Sequence, residues 1–269
     1  MKNNNATISA AHLKYLKSIK KNRIIIWTFR TGILFLIIFF WELFARLEII
    51  DSFITSSPSR IIKTLQSLLE SGELFKHISV TLFETVAGFL IATILGSLIA
   101  LILWWSETVR KILDPYIVVL NSLPKIALGP IIIIWFGAGT NSIIFMAVLI
   151  SIIITILTML SGFLSTDSSK ILLLKSMGAK KNQILTKLVI PQSIPTFINM
   201  LKINVGMAWI GSIMGEYLVS RAGLGYLIIY GGQVFKLDLV MASTVILCLL
   251  AAVMYFIVAM IEKFAIKWK

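Results

Sequence analysis

LKSMGAKKNQILTKLVIPQSIP, residues 174–195, is a polar, lysine-bearing segment set between two long apolar runs, near 141–164 and 195–219. Its pattern is that of a helix-turn-helix with Gly178 at the turn. Chains that alternate long apolar runs with short polar connections seldom place a structured segment of this size between them unless something docks there. A glycine flanked by basic and amide side chains makes a handle for a soluble partner.

Working outward, hydrophobic residues make up 58% of the 269 positions, well above the share in a soluble domain. Six runs are long enough to cross a hydrocarbon layer, which takes about 20 helical residues. They lie near 24–47, 79–105, 114–137, 141–164, 195–219 and 238–262. A spanning barrel needs alternation of polar and apolar residues, and 131–136 (IIIIWF) has none. The expected fold is therefore all-α, a polytopic membrane protein with six transmembrane helices. The single cysteine, Cys248, falls inside the last run, where it reads as a packing residue, and no disulfide or CxxC metal spacing exists.

Lysine and arginine concentrate in the N-terminal arm (1–23), the 106–113 connection, the 165–194 segment and the tail (263–269). Short cytoplasmic loops carry that excess, so both termini and the 165–194 loop are expected in the cytoplasm. The net charge of +13 follows from this topology and from anionic lipid headgroups. Nucleic-acid binding is not indicated, because the basic residues are scattered and lack interleaved aromatics. The first apolar run is too long for a signal-peptide core and no A-x-A-like site follows it.

On the outer side, Ser57-Pro58-Ser59 can open a helix, with a small polar cap and a proline in the first turn. Ile61, Ile62, Leu65, Leu68 and Leu69 then recur at helical spacing, and Gly72 offers a stop. Within the spans, polar and charged residues are costly and normally face a cavity or a partner. On polarity and depth, Glu216, Asn204, Asn121, Ser122, Trp209 and Glu84 are candidates for the lining of a pathway. Pro124 leaves a backbone carbonyl free inside the third run. Glu42 can pair with Arg46 one turn on, and Lys202 can snorkel to the inner boundary.

The chain has no GxxxxGK[ST] phosphate loop, and Gly223-Leu224-Gly225 follows a span, not a strand, so it opens no dinucleotide site. His12 and His77 lie far apart, and no nucleophile with a base stands out. A catalytic site in this chain is not expected.

Gly178-Ala179 through Pro191, with Pro195, Gly206, Ala208-Trp209, Glu216 and Gly223-Leu224-Gly225-Tyr226-Leu227-Ile228, resembles the inner-membrane permease subunit of binding-protein-dependent ABC importers. Ser57-Pro58-Ser59, Gly72-Glu73-Leu74, His77, Gly88-Phe89 and 124–137, ending Trp135-Phe136-Gly137, fall in the same order, so the resemblance covers about 35–262. Within that superfamily the chain is most similar to the sulfonate/nitrate/taurine branch. The resemblance implies that 165–194 is a coupling loop docking on a separate ATP-binding subunit, which would hold the ATP and Mg; this chain itself needs no cofactor. Gly178, Ala179, Lys180 and Gln183 would meet that subunit, with Pro191 setting the exit from the loop. It also implies a second permease chain, an extracytoplasmic substrate-binding protein, and a place in the bacterial cytoplasmic (inner) membrane. Two positions depart from the family pattern. Leu172-Leu173-Leu174 replaces the usual Glu-Ala-Ala, and Glu84 stands where many relatives have arginine. If Glu84 faces the pathway, an anionic cargo is disfavoured relative to a thiamine precursor or riboflavin. An ion-coupled secondary transporter and a non-transport membrane scaffold are the other classes open to such a sequence.

Overall fold

In a computed structural model the described residues are 10–265; residues 1–9 of the N-terminal arm and 266–269 of the tail lie outside them. Among the described residues every regular element is helical. Five helices are long and apolar enough to span a membrane, or six if one bent pair counts as a single span. The chain divides into two compact units, up to Lys63 and from Thr64 onward.

The first unit opens with α1, Ala10–Arg46. One helix runs from the described part of the basic arm into the first apolar run. Predominantly apolar from residue 31 to 41, α1 buries only Ala45 among its described side chains, a pattern that suits a helix facing hydrocarbon. Asp51 caps the short α2, Ser52–Thr55, by accepting the Phe53 N–H at 2.8 Å. Then comes α3, Pro58–Glu70, beginning at the expected proline and ending before Gly72, whose φ is +74°. Glu42 does more than pair with its neighbour. One carboxylate oxygen accepts Arg46 Nε at 2.7 Å, while the other accepts the Ser59 N–H at 3.0 Å and so caps α3.

In the second unit, α4 (Glu73–Trp105) starts six residues before the expected span. α5 (Glu107–Ser122) and α6 (Gly129–Phe136) are separated by a 3₁₀ turn, Lys125–Leu128. The expected third span, 114–137, is thus broken, with a bend of 87°. Pro124 causes the break: it lacks an N–H and holds Leu123 in extended backbone (φ −65°, ψ 137°), so the helix stops at Ser122.

α7 is Thr140–Leu164, and the segment after it folds as α8 (Ser168–Ser176) followed by α9 (Lys181–Ile184). A π turn, Leu185–Val189, joins α9 to α10 (Ile190–Val219) without a break, so one helical body runs from Lys181 to Val219. Pro191 sits in the first turn of α10, immediately after the π turn, where a proline's missing N–H costs least. α11 (Leu224–Gln233) and α12 (Leu237–Ala265) complete the unit.

The core is a close triple packing of α4, α7 and α10. A Cβ added at Gly88 would stand 2.5 Å from Ala147 Cβ, and one at Gly211 would overlap the Ala147 backbone, 2.9 Å from its nitrogen. With lipid on the outside offering no hydrophobic drive, small residues that let backbones approach are what hold such helices together. Cys248 lies on the outward face of α12 and is exposed in the single chain, not packed inside.

Candidate functional site

The loop between α7 and α10 is built by local capping. Asp167 accepts the Ser169 N–H at 2.8 Å and starts α8. At its other end the Gly178 N–H reaches the Lys175 carbonyl and the Ala179 N–H reaches the Leu174 carbonyl, both at 2.9 Å, with Gly178 at φ +81°. This is a Schellman turn, completed by the apolar pair Leu174 and Ala179, both packed against the core. Gln183 Oε1 then accepts the Lys180 N–H at 2.8 Å, fixing the start of α9. Ile184, Leu185 and Val189 anchor the return in the core, and Ser193 Oγ donates to the Gly162 carbonyl at 3.2 Å.

What this frame presents is an apolar ridge around a bare turn. Leu172, Leu173 and Met177 are 69%, 59% and 73% exposed, and nothing lies within 4 Å of the place a Cβ on Gly178 would occupy. Of the residues expected at a docking contact, Gly178, Lys180 and Gln183 are exposed on this tip, Ala179 is half-buried beneath it, and Pro191 is half-buried at the root of α10. Leu174 is the inward residue of the Leu172-Leu173-Leu174 triplet.

A second cluster lies in the α4–α7–α10 core and gathers four of the six residues expected to line a pathway. Asn204 Nδ2 donates to Thr155 Oγ1 at 2.6 Å, and Thr85 and Ser212 share a hydrogen bond of 2.6 Å. Trp209 is buried, its indole N–H without a partner among the described residues. Glu216 and Glu84 are each 1% exposed. These four form the inside of the helix bundle and no aqueous surface of the single chain. Their polarity is plain from the sequence, but their helix faces are not. Asn121 and Ser122 differ: both are exposed at the end of α5, beside the break. Lys202 pairs with Glu262 of α12 at 2.6 Å.

Glu216 is the pivot of the Gly223-Leu224-Gly225 stretch. The N–H of the cap residue Gly223 and the first three N–H groups of α11 are all taken by side chains of other helices. The Gly223 N–H goes to His77 Nδ1 (2.9 Å), Leu224 to Thr81 Oγ1 (2.7 Å), and Gly225 and Tyr226 to Glu216 Oε2 (2.6 and 3.3 Å). A side chain at Gly223 or Gly225 would collide with the Glu216 carboxyl, which explains both glycines. The Glu84 carboxyl lies near Glu216 and Thr140. Glu84's oxygens and Glu216 Oε1 have no hydrogen-bond partner among the described residues.

The described residues form an all-helical, polytopic fold with one bent pair of helices and an exposed helix-turn-helix loop between two long apolar helices. Residues 92–267 match the family of the binding-protein-dependent transport system inner membrane component. The chain belongs to this family of ABC permeases, which sets aside a secondary transporter or a scaffold. It is 30% identical over 229 residues (85% of this chain, 91% of the other) to the formylaminopyrimidine transport permease protein ThiX of Halalkalibacterium halodurans. To the taurine transport system permease protein TauC of Escherichia coli it is 24% identical, covering 83% of each. Its fold is similar to a chain of the inward-facing MetNI methionine ABC transporter, with a TM-score of 0.65 at 17% identity, over 73% of this chain and 97% of that one.

Proposed function

We propose that this chain is the subunit through which a small solute crosses the inner membrane after delivery by an extracytoplasmic binding protein, with ATP and Mg held by a separate ATP-binding subunit. The observation that carries this reading is the bare Gly178 turn flanked by Leu172, Leu173 and Met177, an apolar knob with open space around it. Both termini and this knob face the cytoplasm, and a second copy of the chain completes the route. Closure of the ATP-binding subunits pushes the knob; the continuous Lys181–Val219 body carries the push outward and shifts the population between two states. The route runs along the break between α5 and α6, where Asn121 and Ser122 are exposed, while Glu216, Asn204, Trp209 and Glu84 build the wall behind it.

Gly178→Glu tests the coupling role. The variant inserts normally but no longer captures the ATP-binding subunit in a pull-down and transports nothing; normal capture and flux would sink the reading.

For cargo, the reading is a sulfonate-, nitrate- or taurine-like anion, in keeping with the similarity to TauC. Glu84 does not oppose it, because its carboxyl is buried against Glu216 and not turned to solute. The second reading, a neutral or cationic heterocycle such as a thiamine precursor or riboflavin, is favoured by the similarity to ThiX. A thermal-shift screen of the cognate binding protein with sulfonates, nitrate, taurine, pyrimidines and flavins separates the two.

A further inference from the structure

Where α4 ends and the loop returns, α5, α8 and α9 bring three cations to one pocket. A cavity of about 350 Å³ is lined by Arg110, Lys175 and Lys181, with Trp104, Leu164 and Ile184 among its apolar walls. This is at the lower end of the size range of small-molecule sites. Lys181 is held in place: its Nζ bonds the Trp105 carbonyl and lies 5.7 and 5.2 Å from the Trp104 and Trp105 ring centroids. The one carboxylate of the lining, Glu107, is engaged by Lys111 at 3.0 Å and lies 4.0 Å from Arg110, so the pocket keeps a surplus of positive charge.

We infer that this pocket binds the phosphate of an anionic phospholipid headgroup. Its position selects a lipid over a soluble phosphate. The pocket opens at the ends of two spanning helices, α4 at Trp105 and α7 at Leu164, the level at which headgroups and interfacial tryptophans lie. Cations contact the phosphate diester while Trp104, Leu164 and Ile184 cover the glycerol and the first methylenes. Basic pockets between spans on the inner side take such headgroups for the same reason. Because Ala179 and Lys181 belong to the loop, the lipid pins the base of the knob to the bilayer. The inference rests on the cytoplasmic placement of that loop and goes beyond it in naming a ligand.

The test is native mass spectrometry of the full-length chain, titrated with dioleoyl-phosphatidylglycerol or dioleoyl-phosphatidylcholine. One phosphatidylglycerol is retained preferentially. Arg110→Gln and Lys175→Gln each weaken its binding about fivefold, the worth of one basic residue near an anionic surface, and Lys236→Gln, at the α11–α12 turn, leaves it unchanged. Equal retention of phosphatidylcholine, no loss in either variant, or an equal loss in Lys236→Gln overturns the site. Displacement by inorganic phosphate at low concentration overturns the lipid source in favour of a soluble phosphate. Displacement by the ATP-binding subunit shows a protein contact instead. Retention of phosphatidylglycerol together with normal ATPase capture by Gly178→Glu would remove the coupling reading and leave the lipid site standing.

Discussion

Glu216 carries two duties in one side chain: it accepts two N–H groups of α11 and it abuts Glu84. Glu216→Ala leaves the buried Gly225 N–H without an acceptor, a loss of about 1–3 kcal/mol, and removes the weaker bond to the part-buried Tyr226 N–H. Amide hydrogen exchange at 223–226 is expected to accelerate while exchange within α7 stays slow; unchanged protection at those amides would show that the turn holds without the carboxyl. Glu84→Gln supplies a donor to Glu216 Oε1 without changing shape, so its thermal unfolding temperature is expected to equal or exceed that of the parent. Glu84→Ala, with neither donor nor volume, is expected to unfold earlier, and the reverse order would remove the Glu84–Glu216 contact from the account. At Gly178 the backbone and contact roles separate. Asn tolerates left-handed φ, so Gly178→Asn keeps the Schellman turn; equal melting temperature with weaker ATPase capture isolates the need for a bare surface.

The packing of α4, α7 and α10 depends on which atoms meet at each glycine. A methyl at Gly88 strikes the Ala147 side chain, whereas one at Gly211 strikes the Ala147 backbone. Gly88→Ala and Gly211→Ala each cost about 1–3 kcal/mol by overpacking. Adding Ala147→Gly restores the melting temperature of the first and not of the second, because only a side chain can be removed; rescue of both, or of neither, contradicts this packing. Elements of this kind were readable from the sequence where length and apolarity decide. Thr140–Leu164 and Leu237–Ala265 lie within three residues of the expected spans. The α5–α6 break was not read, because a proline inside an apolar run is compatible with a tolerated kink as well as with an 87° bend, and neighbouring helices choose between them. Helices apolar on every side likewise carry no face information. That is why Glu216, Asn204, Trp209 and Glu84 could be singled out by polarity from sequence while their burial in the core needed the packing. Gly178 was legible because its signal is local: a helix pattern, a glycine, then a new start.

For the molecule as a whole, the Lys181–Val219 body links the loop to the α10–α11 turn. With 39 residues at 1.5 Å each it is roughly 58 Å long, enough to cross a bilayer with its headgroups. One end is fixed by the Gln183 cap and the buried Ile184, and the other grips α11 through Glu216, so in the proposed coupling a displacement at Gly178 is passed to the α10–α11 turn. This lever requires Lys180 and Arg221 to lie on opposite sides of the membrane. The chain itself makes the test simple, since Cys248 is its only cysteine. Being exposed on α12, it can be replaced by alanine at a cost within about 0.5 kcal/mol, as for other sites outside the packed core. In that background, Arg221→Cys is expected to react with a membrane-impermeant maleimide added to intact spheroplasts, and Lys180→Cys only after permeabilisation. Labelling of both from outside would place the loop on the wrong side for any cytoplasmic ATPase, and labelling of neither until permeabilisation would mean that α10 enters the membrane without crossing it.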